Sequence, residues 1–147
     1  MHIYVFSSTN LTNICAGVGA GMWAVSPKLG IKNGTITKSK KLLIGSLGVL
    51  YYSKTHEFTC PFIVKSVPVD RVVDGIWPEA WRLPFDITSL GSPTKRLSKD
   101  VVAAEMPSVV ASGKHWTKFL RVPPTFSFQA SEISSEDWAF LYERLRY

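Results

Sequence analysis

The chain opens on an unbroken apolar run, Ile3-Tyr4-Val5-Phe6, which reads as a buried strand. Polar residues follow, with Ser8 and Thr9 placed to cap a helix. Leu11, Ile14, Cys15 and Val18 then recur at helical spacing, so a helix is expected over Asn10 to Met22. Gly17, Gly19 and Gly21 weaken that helix by about 1 kcal/mol each relative to Ala. They are expected either to end it early or to let its backbone pass close to a neighbour. From Ser26 to Lys41 the pattern breaks into Pro27, Gly30, Asn33-Gly34 and five lysines, the mark of an exposed loop or a pair of short strands turning at Asn33-Gly34. Leu42 to Tyr52 and Glu57 to Val67 are strongly apolar and read as strands joined in a hairpin through Lys54, Thr55 and His56, with Pro61 marking an edge or a bulge.

Pro68 to Trp81 carries turn chemistry and ends in GIWPEAW, after which Leu83 begins another strand. Gly91 to Lys99 is a basic turn. Val101 to Val110 is apolar with ambiguous periodicity, interrupted by Met106-Pro107. Thr125 to Ala130 is expected to return as a short strand. The last element is the clearest: Ser134 followed three residues on by Asp137 is a capping sequence, and Trp138, Leu141, Tyr142 and Leu145 line one face of a helix. Many short strands with few helices predict a mixed α+β architecture built on a small, strongly curved sheet or barrel.

Composition supports a folded chain: 147 residues with 46% hydrophobic and 19% charged positions suit one globular domain. Charge is segregated. No acid precedes Glu57, whereas Lys28, Lys32, Lys38, Lys40, Lys41 and Lys54 do, so the whole net charge of +6 resides in the first 56 residues. Such asymmetry is expected of a phosphate-binding surface. The start lacks the pattern of a secretory signal, and the longest apolar run is too short to span a bilayer, so a cytoplasmic, membrane-free protein is expected. Cys15 and Cys60 lack metal-ligand spacing and read as free, buried thiols.

Catalytic patterns are thin. The glycines of the first helix do not form a phosphate loop, because neither GxGxxG nor Gly-Lys-Ser/Thr is present. His56, Glu57 and Cys60 are the one tempting cluster, and no two acids form an evident acid–base pair. No enzyme activity, metal or cofactor is expected.

The segment Ile3 to Trp23 resembles the opening of the YTH and EVE families of the PUA-like superfamily, a strand, a Ser/Asn-rich turn, a helix and a tryptophan. The Asn13-to-Trp23 spacing is similar to that between the base-reading Asn or Asp of those families and their first cage tryptophan. Trp23-Ala24-Val25 resembles the Trp-Gly-Val of EVE proteins more than the Trp-Ser-Thr of YTH. Gly75-Ile76-Trp77 resembles the loop that delivers a second cage tryptophan, and the stretch from Phe119 to Trp138 resembles the closing strand and helix. The resemblance implies a PUA-like barrel with flanking helices that holds a flipped, modified base between Trp23 and Trp77 across a solvent-open slot. Trp81, Leu83 and Trp116 are the candidates for a third cage residue, Trp81 first. Asn13, the Ala24 carbonyl and Thr9 would read the base edge. Lys28, Lys32, Lys38, Lys40 and Lys41, then Arg96, Lys118 and Arg121, would meet phosphates. The implied ligand is N6-methyladenine in DNA, with RNA or a modified cytosine as alternatives. The implied setting is a modification-dependent restriction system, with a GTPase or nuclease fused to or associated with a monomeric domain, since related domains open McrB-type proteins. The same superfamily includes ASCH-type hydrolases, and a purely structural adaptor is a third class.

Overall fold

A computed structural model describes residues 1–29, 31–122 and 127–147. In chain order its elements are β1 (His2–Ser8), α1 (Leu11–Ala20), β2 (Met22–Val25), a 3-10 turn (Pro27–Leu29), α2 (Asn33–Ser39), β3 (Leu47–Tyr52), β4 (Glu57–Val64), β5 (Val72–Val73), β6 (Trp81–Ser89), β7 (Arg96–Ser98), α3 (Lys99–Glu105), α4 (Pro107–Ser112), a second 3-10 turn (Trp116–Lys118), β8 (Ser131–Glu132) and α5 (Ser135–Leu145). The strands form one mixed sheet in the order β2-β6-β4-β3-β1-β8, with β5 beside β6 and β7 beside β4. β1 and β3 run parallel, and the other paired strands are antiparallel. This is the expected α+β sheet, with a hydrogen-bonding path that stays open between β2 and β8.

Two apolar cores flank the sheet. One gathers Phe6, Ile14, Trp23, Phe62, Trp77, Trp81 and Phe85. The other gathers Ile3, Val49, Phe58, Trp116, Leu120, Phe140 and Leu141. A strand normally sends alternate side chains to opposite faces. β1 obeys, with Val5 in the second core and Phe6 in the first. β4 does not. Phe58 enters the second core while Cys60, Phe62 and Val64 enter the first, although all four positions have the same parity. The cause is a bulge: Cys60 and Pro61 stand opposite the single residue Val49, and Cys60 has φ 46°. A second bulge sets Leu83 (φ 59°) and Pro84 opposite Ala24. Each bulge is followed by a phenylalanine, Phe62 or Phe85, and both rings pack on Phe6.

Several elements differ from the sequence expectation. Asn10, not Ser8 or Thr9, caps α1, its Oδ1 accepting from the Thr12 amide at 2.8 Å. α1 runs through Gly17 and Gly19 and ends at Gly21, which takes the left-handed conformation at φ 65°. Residues 33–39 form a helix rather than a turn between strands, because Thr35 accepts from the Lys32 amide and Ile36 packs on the first core. The strand expected from Leu42 begins only at Leu47. Val101 to Val110 resolves into α3 and α4, broken where Pro107 opens the second helix. Of the strand expected over Thr125 to Ala130, residues 125–126 lie outside the described residues, residues 127–130 form no strand, and β8 follows at Ser131. The capping box of α5 is as read, Ser134 and Asp137 satisfying each other's backbone amides.

Candidate functional site

Trp23 reaches the first core from β2, where α1 crosses it at Gly17. A Cβ on Gly17 would stand 2.8 Å from the Trp23 ring, so only glycine permits that approach. Trp77 sits in the loop between β5 and β6, two residues after Gly75, which takes φ 88°. Its indole Nε1 donates to the Asn13 backbone carbonyl at 2.9 Å, pinning the loop to α1. Trp81 is the first residue of β6 and pairs with Val73.

The three indoles converge. Trp77 and Trp81 lie face to face, 4.1 Å between centroids and 5° between planes. Trp23 meets both edge-on, at 5.9 Å to Trp77 and 5.4 Å to Trp81. Edge-to-face and offset-parallel contacts are what ring quadrupoles favour. The expectation of Trp23 and Trp77 as facing walls of an open slot is therefore corrected. The facing pair is Trp77 and Trp81, those rings touch, and relative exposures are 2%, 4% and 3% for Trp23, Trp77 and Trp81.

Beside the stack lies a cavity of about 350 Å³, whose wall includes Ser7, Ser8, Thr9, Asn10, Asn13, Ser26, Ser53 and Trp81. Lys28, Pro78 and Glu79 also line it, and Lys28 Nζ pairs with Glu79 Oε1 at 3.2 Å. The Asn13 side-chain Oδ1 is buried and has no hydrogen-bond partner among the described residues. A buried acceptor carries a cost of about 1–3 kcal/mol unless a water or a ligand group meets it. Ala24 is buried opposite the Leu83–Pro84 bulge, where the paired register lapses.

The remaining candidates are dispersed. Leu83 is buried in the first core on its bulge. Trp116 lies in the second core, edge-on to Phe58, and is removed from the cage candidates. Lys32, Lys38, Lys40 and Lys41 are exposed on and beside α2, with no ion pair among the described residues. Arg96 is held by Glu57 at 3.3 Å and the Pro93 carbonyl at 3.0 Å. Lys118 lies on the 3-10 turn that carries Trp116, and the Arg121 amide donates to Ser131 Oγ. The cavity residues that sequence reading missed are Asn10, Pro78, Glu79 and the serines. Glu79 had a signal, an acid two residues after the loop tryptophan, but nothing along the chain ties it to Lys28.

The tempting His56–Glu57–Cys60 cluster comes apart. His56 Nδ1 contacts the Tyr51 hydroxyl at 3.0 Å, Tyr51 belonging to the second core, while Cys60 is buried in the first. Burial pushes the Cys60 thiol up to about 11, against the opposing hydrogen bond from Thr59, so it stays protonated near neutrality. Both cysteines are free, but Cys15 is exposed rather than buried. Among the described residues, no cluster of three or more His, Cys, Asp or Glu could hold a metal ion, and no helix is long and apolar enough to cross a membrane.

No family model matches the chain, and no curated protein matches it. Solved structures do. The chain is similar to the YTH domain of the Zygosaccharomyces rouxii MRB1 protein in complex with N6-methyladenosine RNA, at 12% identity and TM-score 0.60, covering 99% of this chain and 88% of that one. It is similar to the Toxoplasma CPSF4-YTH domain in apo form, at 15% identity and TM-score 0.60, over 99% and 88%. It is also similar to the Mmi1 YTH domain in complex with RNA, at 10% identity and TM-score 0.62, over 97% and 77%. At such identities the likeness is one of architecture, and the architecture of this chain is that of the YTH domains.

Proposed function

We propose that this chain binds a nucleic acid by taking one flipped, modified base into the region of Trp23, Trp77 and Trp81, with N6-methyladenine in single-stranded RNA as the first ligand. One observation carries the reading: three indoles from separate segments meet beside the orphaned Asn13 amide and a cavity with room for a base. The YTH-fold neighbours described with nucleic acid hold RNA, which supports placing RNA ahead of DNA, the reverse of the order expected from sequence. Association with a restriction GTPase or nuclease is carried by the sequence resemblance alone and is not part of this reading.

Each residue has a physical task. Burying the extra methyl against indole faces contributes about 0.8 kcal/mol, roughly fourfold in affinity. Stacking contributes about 1–3 kcal/mol but discriminates little between bases. Discrimination therefore rests on the fit of the cage and on the edge. The Asn13 amide offers a donor to adenine N1, since either amide atom can occupy the buried position. The Ala24 carbonyl would accept the one N–H left on the methylated amine. Thr9 and Lys28 lie on the cavity wall, where ribose and phosphate would pass.

Equilibrium binding tests this. Matched oligonucleotides carry adenine, N6-methyladenine, cytosine or 5-methylcytosine, as single-stranded RNA and as duplex DNA. The expected result is tightest binding to the N6-methyladenine RNA, by fourfold or more over adenine; Trp77→Ala, which removes a buried ring and its bond to Asn13, should lose that preference and lower the melting temperature as well. Equal affinity for methylated and unmethylated RNA would refute the reading.

A further inference from the structure

Aromatic atoms in contact stand about 3.5–4.0 Å apart. The Trp77 and Trp81 rings, parallel and 4.1 Å apart, are thus already in contact. A base stacked on both needs their planes about 7 Å apart, twice the contact distance. Trp81 therefore lies where a base would lie on Trp77.

The surroundings say which ring moves. Trp77 is fixed to α1 through the bond from its Nε1 to the Asn13 carbonyl. Trp81 forms part of the wall of the 350 Å³ cavity, so its side chain has volume to enter, whereas Trp77 lies behind it. Pro78 and Glu79, in the short link between the two tryptophans, line the same cavity. Glu79 is tied to Lys28 on the 3-10 turn after β2, and both side chains are substantially exposed, 41% and 78%. The tie spans from the link to the turn that leads out of the Trp23 strand.

We propose that Trp81 is a displaceable plug. It stacks on Trp77 in the resting protein and swings into the adjoining cavity as a base enters, and the Lys28–Glu79 pair biases the link toward the plugged form. A nucleotide phosphate competes with Glu79 for Lys28, so arrival of the backbone loosens the link that the base must open. This rests on the base-binding reading above and adds to it an order of events and a positioning residue, Glu79. The bias is small: an exposed ion pair changes an equilibrium by at most about fivefold. The plug's larger hold is the stack itself. Binding then draws on a minor open population, which lowers apparent affinity by that fraction.

The test uses the whole chain, a short single-stranded RNA carrying one N6-methyladenine, and Glu79→Gln. Indoles in contact couple in circular dichroism, and Trp23 lies edge-on to both rings, so the couplet read here, without ligand, is the part that Trp81→Phe removes. The expected results are nearly equal couplets in free wild type and free Glu79→Gln, because the open form is minor in both, and loss of the couplet on saturation with the methylated RNA. In stopped-flow mixing, the wild-type rate should level off as RNA concentration rises, and the plateau should be a few-fold higher in Glu79→Gln. The plateau, not the affinity, is the decisive quantity, because removing a carboxylate strengthens any phosphate contact. A couplet that survives saturation while methylated RNA is still preferred would overturn the plug and leave the reader intact. Absence of preferred binding would overturn both.

Discussion

Asn13 has two roles that its two carbonyl groups keep separate. The backbone oxygen holds Trp77, and the side-chain oxygen holds nothing among the described residues. A stranded polar atom is a stability cost that function can justify. Asn13→Ala should therefore leave the melting temperature equal or slightly raised, by up to about 1 kcal/mol in stability, while affinity for the modified base falls about tenfold. Thermal melts paired with binding titrations read both, and a destabilised Asn13→Ala would show that the amide has a structural partner instead. Asn13 was singled out along the chain only through a family resemblance, in its spacing to Trp23, and the structure places it on the cavity wall. That Trp77 stacks on Trp81 was not legible there, because sequence spacing carries no information on which faces of two aromatic rings meet once a loop folds back.

Helix α1 shows how one residue type serves opposite ends. Gly17 lies under the Trp23 ring, whereas Gly19, two positions on, has no atom within 4 Å of where a Cβ would stand. Gly19→Ala should stabilise the protein by about 0.5–1 kcal/mol through helix propensity. Gly17→Ala should destabilise it by about 1–3 kcal/mol through overpacking, and should displace Trp23 and weaken binding as well. Chemical denaturation of the two variants gives the signs directly, and two stabilising substitutions would mean that Trp23 yields freely. Sequence alone suggested that some glycine allowed a close approach without saying which. The last helix was read correctly because its cap is local in the chain, three residues from donor to acceptor. α2 was misread because Asn33-Gly34, a strong turn signal, occupies a helical first turn stabilised by packing of Ile36 on a distant core.

Across the whole molecule the sheet divides the site from a second core whose anchor is Asp137. That carboxylate is buried, and burial alone would raise its pKa. Hydrogen bonds from Ser108 and Ser134 outweigh it and hold the pKa below the usual carboxylate value. A depressed folded-state pKa contributes stability that is complete above the unfolded value, about 3.9, and disappears as pH falls below it through the folded value. Asp137→Ala should cost about 2–3 kcal/mol near neutrality. Its deficit relative to wild type should shrink as melts are taken below about pH 4, and a deficit constant with pH would assign the cost to lost packing. The bulge at Cys60 decides how far such damage spreads. Because β4 inserts Phe58 into one layer and Phe62 into the other, neither layer has a complete set of strands without its neighbour. Unfastening α5 on the far side therefore unravels the tryptophan side in the same event, and amide protons on the two sides should exchange with solvent together rather than in sequence.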